Sequence, residues 1–179
     1  MTPVDALCDT TYTAAHNSGV RKPEDIRLVV LHSTEGGTAE SVARYFTTPQ
    51  SGGSAHLVVD DLDCYRCLRN IDIPWGAPGA NTAGFHIEQC GYARWTKAEW
   101  LEHDLTLRRA AYKAALHANH FGIPLQWLSA AGLKRGLRGV TTHADCSQAF
   151  GGDHTDPGPF WPRRYFMRLV NGYYGDLLV

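Results

Sequence analysis

The pattern of apolar and polar positions along the chain predicts strands and helices in mixed order. Residues 26–33, IRLVVLHS, form a short β-branched apolar run that is typical of a buried strand. Residues 38–46 then repeat apolar side chains at helical spacing behind Thr38, which predicts a capped helix. The runs AHLVVD and CYRCLR flank an Asp-Asp turn and predict a hairpin, and a short strand is expected over residues 85–88.

Two longer helices are predicted in the second half of the chain. The first begins at Thr96, where Thr96 and Glu99 form a capping box, and ends near His120. Its expected buried face carries Leu101, Leu105, Tyr112 and Leu116. The second starts near Pro162 and packs through Phe166, Leu169, Val170 and Tyr173. Residues 125–160, between them, are expected to be mainly loop.

This order of elements favours an α/β fold class, with a mixed central β-sheet flanked by helices. The chain has 179 residues, of which 44% are hydrophobic and 20% charged, so one compact domain can bury its own core. We therefore expect a single domain over residues 1–179, with its core at about 26–175.

Charge and composition exclude several classes of function. A net charge of -1 and an isoelectric point near 6.7 give no basic field for nucleic acid or anionic lipid. No segment approaches the roughly 18 apolar residues of a membrane span, and the first ten residues lack a signal-peptide pattern. We expect a soluble monomer, made in the cytoplasm, with no nucleic acid and no membrane insertion. Five cysteines, an odd number, favour free thiols.

Three residues among the nine histidines and the acidic side chains form a candidate metal site. His32 closes the apolar strand, where sheets of α/β proteins open into a cleft. His143 and Asp156 occur more than a hundred residues later, in segments rich in Thr, Gly and Pro that we expect to be loops. Two histidines and one carboxylate are sufficient for a catalytic Zn²⁺ with a fourth position for water. From spacing alone, a structural role for His32 stays equally open.

Five motifs then occur in a characteristic order: VVLHSTEGG, SAHLVVD, GFHIEQCG, TTHADCSQ and HTDPGPFWP. With these motifs the chain resembles the type 2 N-acetylmuramoyl-L-alanine amidases, which are similar in fold to peptidoglycan recognition proteins. The resemblance covers about residues 27–161 and is greatest to amidase domains of endolysins from phages that infect actinobacteria. It implies a zinc hydrolase of peptidoglycan that cuts between N-acetylmuramic acid and L-alanine, with one Zn²⁺ bound by His32, His143 and Asp156.

The resemblance also implies two catalytic residues. Glu88 corresponds to the acidic residue of the family's G-I-E strand, where it would act as general base, although His86 replaces the glycine here. His154 stands where the family often has a lysine. A histidine can supply the same hydrogen bond or charge to a developing oxyanion, although its charge, unlike that of lysine, changes near neutral pH. Metal binding by His154 is the alternative.

Loops that follow the strands supply four candidate substrate contacts: Thr34, Glu35, Trp75 and Asn81. Many relatives have a histidine after the tryptophan, whereas this chain has Gly76, so His56 and His86 are candidates to replace that contact. The alternatives are a core aromatic for Trp75 and a backbone-satisfying loop for Thr34 and Glu35.

Two other functions remain open on the sequence. One is a peptidoglycan-binding module without activity, although such a module has no need of a complete ligand set. The other is a zinc peptidase that cuts within the stem peptide. A lysin without a signal peptide would reach the cell wall through a phage-made pore, and whether the chain belongs to a larger lysin with a wall-binding domain stays open.

Overall fold

A six-stranded, mostly parallel sheet forms the centre of the structure, a computed structural model in which residue 8 and residues 10–177 are described. Its spatial order is β1-β4-β3-β5-β2-β6. β3 and β4 pair antiparallel as the predicted hairpin, and the other neighbours are parallel. The strands are β1 (Thr10–Thr11), β2 (Leu28–Ser33), β3 (Leu57–Val59), β4 (Cys64–Arg66), β5 (Gly84–Gln89) and β6 (Gly139–Thr142).

Helices cover both faces of the sheet. They are α1 (Ala39–Phe46), α2 (Lys97–Glu102), α3 (Asp104–His120), α4 (Ala130–Lys134), α5 (His143–Phe150) and α6 (Arg163–Leu177), with 3-10 turns at Pro23–Asp25 and Pro49–Ser51. In β2, Val29 and Leu31 pack in the same cluster as residues of α3 and α6, while Leu28 and Val30 pack with residues of α4 and α5. Because both faces of β2 are buried, its sequence is continuously apolar. The predicted fold class, a mixed sheet flanked by helices, is confirmed.

The helix predicted from Thr96 to His120 is divided in two. The capping box of Thr96 and Glu99 is present, but α2 ends at Glu102 and α3 starts at Asp104. Between them, His103 leaves helical geometry and its Nδ1 lies 2.6 Å from a carboxylate oxygen of Asp61. The same carboxylate accepts a hydrogen bond from the N–H of Thr106, so a residue from the β3–β4 turn caps α3.

The predicted buried face of this helix is wrong. Leu101 and Leu105 are 39% and 56% exposed. Apart from Leu107, the fully buried apolar side chains of α3 are small: Ala110, Ala111, Ala114, Ala115 and Ala118. Alanine lets α3 approach β5 and α6 closely, and it contributes little to the apolar pattern from which the face was predicted.

Residues 125–160 are more ordered than predicted, since they contain α4, β6 and α5. β6 has a weak apolar signal, GVTT, yet it is fully buried beside β2. α5 begins at His143, immediately after β6, and the hydroxyl of Thr142 accepts a hydrogen bond from the N–H of Asp145. The expectation that His143 lies in a loop is therefore wrong.

The cysteines are free thiols, as predicted: Cys64, Cys67, Cys90 and Cys146 are buried and Cys8 is partly buried. Among residues 8 and 10–177, no helix has the length and apolarity required to cross a bilayer.

Candidate active site

Three adjacent strands bring the predicted site residues together. β5, β2 and β6 are parallel neighbours, so their carboxyl ends meet at one edge of the sheet. His32 near the end of β2 lies opposite Glu88 in β5, and His143 follows the last residue of β6. One edge of the sheet therefore holds residues that are up to 111 positions apart in sequence.

The loop with Asp156 is attached to the same edge. The main-chain carbonyl of Asp156 accepts a hydrogen bond of 2.9 Å from the N–H of Ala144, and a cis peptide bond joins Asp156 to Pro157. Gly158 has a φ of +102°, and a Cβ there would collide with the main chain of Ala93. Glycine is required at this point because the loop passes so close to the segment that follows β5.

The three predicted metal ligands face one another. The Nδ1 atoms of His32 and His143 are 3.1 Å apart, and they lie 3.3 Å and 3.1 Å from the two carboxylate oxygens of Asp156. All three residues are buried, and their ligand atoms lie within 4.8 Å of one another. A group of two imidazoles and one carboxylate with this spacing can hold a metal ion, and catalytic zinc sites use such a set.

Electrostatics favour the metal-binding states of Asp156 and His32. Burial raises the pKa of Asp156, but the adjacent imidazoles of His143 and His32 outweigh it and hold the pKa below the usual aspartate value. Burial lowers the pKa of His32, although Asp156 acts in the opposite direction. An ionised carboxylate beside a neutral imidazole is the form required for metal coordination.

Glu88 lies next to this group with little exposure. One carboxylate oxygen is 4.0 Å from Nδ1 of His32, and the side chain is 15% exposed. Burial, with the negative charges of Asp156 and Glu35, raises the pKa of Glu88 well above that of an ordinary glutamate. A raised pKa makes the carboxylate a stronger base, and it is a common property of catalytic acids and bases.

His154 lies at the solvent side of the group. Its side chain is 57% exposed, and Nδ1 is 3.5 Å from a carboxylate oxygen of Asp156. Its ring stacks on that of His143 with centroids 3.9 Å apart. His154 thus reaches the site from the side that is open to a ligand.

The group opens into a groove of about 640 Å³. Of the predicted substrate contacts, Glu35, Trp75 and Asn81 line this groove together with Glu88, His143, His154 and Asp156. Trp75 is 44% exposed, which excludes the alternative of a core aromatic. The Asn81 side chain also accepts hydrogen bonds from the N–H groups of Gly76 and Ala77, so it fixes the groove wall.

The other predicted contacts lie outside the groove lining. The hydroxyl of Thr34 donates to the carbonyl of Gly36, which matches the alternative of a loop that satisfies its own backbone. His56 and His86 are fully buried beneath the groove. Nε2 of His32 lies 2.9 Å from Nδ1 of His86, whereas His56 pairs with the backbone N–H of His86.

Two features of the site had no sequence prediction. The ring of His16 stacks on Trp75 with centroids 4.6 Å apart, although His16 lies in an irregular segment that carried no signal. A second cavity, of about 860 Å³, adjoins the first at His154 and is lined by Trp127 and Phe160 among others. The aromatic residues after the DPG motif are the signal that could have indicated this second cavity.

Comparisons with known proteins agree with this geometry. The chain matches the N-acetylmuramoyl-L-alanine amidase family Amidase_2 over residues 22–159, which include His32, Glu88, His143 and Asp156. No curated protein matches the sequence.

Several solved structures share the fold. The Staphylococcus aureus hydrolase AmiA, in complex with its ligand, aligns with a TM-score of 0.76 and 18% identity over 94% of this chain and 83% of that chain. A mutant endolysin from Bacillus subtilis aligns with a TM-score of 0.61 and 19% identity over 92% and 99%. The endolysin N-acetylmuramoyl-L-alanine amidase LysCS from Clostridium intestinale aligns with a TM-score of 0.52 and 13% identity over 90% and 94%.

At these identities the structural likeness establishes the fold, whereas the family match spans most of the chain and includes every element that carries the buried site. The chain belongs to the N-acetylmuramoyl-L-alanine amidase family Amidase_2, which confirms the enzyme class predicted from its sequence.

Proposed function

We propose that the protein hydrolyses the amide bond between N-acetylmuramic acid and L-alanine in peptidoglycan, with one Zn²⁺ held by His32, His143 and Asp156. The observation that carries this proposal is the convergence of two imidazoles and one carboxylate at the floor of an open groove, in a chain of the amidase family. When bound there, Zn²⁺ supplies Lewis acidity toward a carbonyl oxygen and a water molecule.

Glu88 is the general base in this proposal. It is the acidic side chain beside His32 that lines the groove and is not one of the three ligands. Its carboxylate removes a proton from the attacking water and delivers it to the nitrogen of the leaving L-alanine. Burial of Glu88 favours this role, because the raised pKa increases the affinity of the carboxylate for the proton in transit.

His154 stabilises the negative charge that develops on the carbonyl oxygen. In this proposal its imidazole N–H lies beside the bond to be cut, which is supported by the position of His154 at the open side of the ligand group, between the two cavities. The stacked ring of His143 restricts the orientation of His154, so a hydrogen bond to the oxyanion needs little reorganisation.

Trp75 and Glu35 contact the substrate in this proposal, and Asn81 shapes the loop beside them. The exposed indole of Trp75 offers an apolar face for a sugar ring or a lactyl group, and its N–H is fixed by the hydroxyl of Ser18 at 2.8 Å. Glu35 adopts a positive φ of 57° and accepts hydrogen bonds from Ser33 and from the N–H of Ala93. Both side chains are therefore held in position before substrate binds.

A role in lysis of the cell wall, as in an endolysin, is the biological setting that we propose. Two of the structural neighbours are endolysins by name. The actinobacterial host, the phage origin and the passage through a phage-made pore remain predictions from sequence motifs. Turbidity loss of actinobacterial cell walls, compared with walls from other bacteria, tests the prediction of the host.

Digestion of purified peptidoglycan by the zinc-loaded protein tests the activity directly. We expect mass spectrometry to find intact stem peptides with free L-alanine amino termini, and no product from His143→Ala. Cuts within the stem peptide would instead identify a peptidase. Wall binding without zinc and without products would identify a binding module.

A further inference from the structure

His86 is a buried histidine that the proposed chemistry does not use. It lies in β5 opposite Val30, two residues before Glu88, and its side chain is fully buried. Its Nδ1 is 2.9 Å from Nε2 of His32, on the side of that ring opposite the ligand group. The two rings are nearly parallel, with centroids 5.0 Å apart.

The protonation of His32 defines what His86 can do. Nδ1 of His32 faces Asp156 and His143, so this nitrogen must be free of a proton to bind a metal ion. The proton of the neutral ring then lies on Nε2, where it is donated to Nδ1 of His86.

We propose that His86 is a positioning residue that orients His32 and fixes its tautomer, so that Nδ1 of His32 is presented to the metal. This inference rests on the proposed metal centre. Metal-binding histidines are generally held in this way by an acceptor for their second N–H. Here the acceptor is an imidazole.

His86 is itself held firmly. Its N–H donates to Nδ1 of His56 at 3.0 Å, and its carbonyl accepts from the N–H of His56 at 3.1 Å. Nε2 of His56 lies 3.1 Å from the carbonyl of Asp72 and 2.9 Å from Nη2 of Arg21, so both ring nitrogens of His56 have partners. Gln89 adds a second support, because its amide donates to the carbonyl of His32 at 3.1 Å.

Two glycines make room for the ring of His86. A Cβ at Gly76 would lie 2.5 Å from Nδ1 of His86, and a Cβ at Gly84 would collide with Nε2 of the same ring. Neither glycine has a positive φ, so space rather than backbone conformation requires glycine at both positions. The sequence is therefore adapted to an imidazole at this position.

The test measures zinc affinity by competition with a chromophoric chelator at pH 7.5. His86→Leu removes the acceptor, and we expect it to weaken zinc binding by about 10- to 100-fold. His86→Asn keeps an acceptor near the position of Nδ1 and is expected to remain within about threefold of wild type, by the same reasoning. The matched control is His117→Leu. His117 is also fully buried but lies on α3, away from the ligand group, so this variant should leave zinc affinity unchanged.

Gly76→Ala provides a second route to the same answer if His86→Leu does not fold. The added methyl group displaces the imidazole, so Gly76→Ala alone should lower zinc affinity. In a protein that already carries His86→Ala, Gly76→Ala should cause no further loss. The Co²⁺-substituted protein should show an altered visible spectrum in His86→Leu and in Gly76→Ala, since the geometry of the ligand set changes.

Several results would overturn the inference. They are wild-type zinc affinity in folded His86→Leu, wild-type affinity in Gly76→Ala, or an equal loss of affinity in His117→Leu. In each case the proposed function would stand, provided that the wild-type protein binds zinc and releases L-alanine-terminated peptides. Absence of stoichiometric zinc in the wild-type protein would overturn both the metal centre and the role of His86.

Discussion

Two groups of buried polar side chains meet at β2 and β5. The ligand group consists of His32, His143 and Asp156, and the interior group consists of Arg21, His56 and His86. The two groups differ in where their lone pairs point. In the ligand group, two Nδ1 atoms and a carboxylate face one another at 3.1–3.3 Å, and all of them are acceptors when each neutral imidazole carries its proton on Nε2. In the interior group, Arg21 donates to main-chain carbonyls at 2.7–3.0 Å, and His56 pairs with the backbone of His86 and Asp72.

This difference explains why burial alone does not identify a functional histidine. His32, His56 and His86 are all buried, yet both ring nitrogens of His56 lie beside protein donors and acceptors, and Nδ1 of His86 lies beside His32. The ligand group presents converging acceptors, an arrangement that can hold a cation. His86 connects the two groups through its contact with His32.

Among the tests of this comparison, removal of a metal ligand should have the largest effect on activity. His143→Ala, or a chelator added to the wild-type protein, should reduce amidase activity by about 1,000-fold or more, because several kcal/mol of transition-state stabilisation are lost. Release of stem peptides, measured by mass spectrometry together with zinc content, checks this result. His120→Ala, at an exposed histidine that ends α3, is the control. Activity within tenfold of wild type in zinc-free protein would refute the metal role.

Substitution of Glu88 tests its role as general base separately from metal binding by the three ligands. Glu88→Gln should reduce kcat by about 1,000-fold while zinc remains bound, because the amide cannot accept the proton from water. Steady-state kinetics on a soluble muropeptide and a metal assay on the same sample test this. Near-wild-type kcat with full zinc occupancy would remove Glu88 from the mechanism.

Substitution of His154 should have an intermediate effect. His154→Ala should reduce kcat by about 100-fold through loss of one donor to the oxyanion. His154→Lys places a cation at the same point and should recover most of that loss, whereas zinc affinity should change little in either variant. A large fall in zinc affinity in His154→Ala would instead identify His154 as a ligand.

The smallest expected effect concerns the interior histidines and the dependence of stability on pH. Burial lowers the pKa of His117 to about 3, compared with 6.5 for an unperturbed histidine. Between these values the unfolded chain binds a proton that the folded protein does not, so stability should fall as the pH drops below 6.5. At pH 5 this amounts to about 2 kcal/mol.

His117→Leu should remove that contribution. The loss of unfolding free energy between pH 7 and pH 5 should be about 2 kcal/mol smaller in the variant than in wild type, as measured by urea denaturation. An equal pH dependence in the two proteins would show that His117 is protonated in the folded state. Exposed His120, replaced by leucine, should leave the pH dependence unchanged.

Sequence alone determined the parts of the fold with strong local signals. The β-branched run of β2, the hairpin of β3 and β4 and the capping box at Thr96 were all predicted, because each depends on neighbours within a few positions. β6 and the alanine face of α3 were missed, because GVTT and alanine have little apolar signal of their own and are buried by long-range packing.

For the site, the sequence supplied the chemical types of the ligands, and the resemblance supplied which residues to consider. Only the tertiary structure decided where those side chains lie: His32, Glu88, His143 and Asp156 at one sheet edge, His56 and His86 beneath it, and Trp75 on the groove wall. The physical reason is that strand order sets which residues become neighbours. A sequence records the order along the chain, whereas a metal site depends on the directions of lone pairs contributed by distant strands and loops.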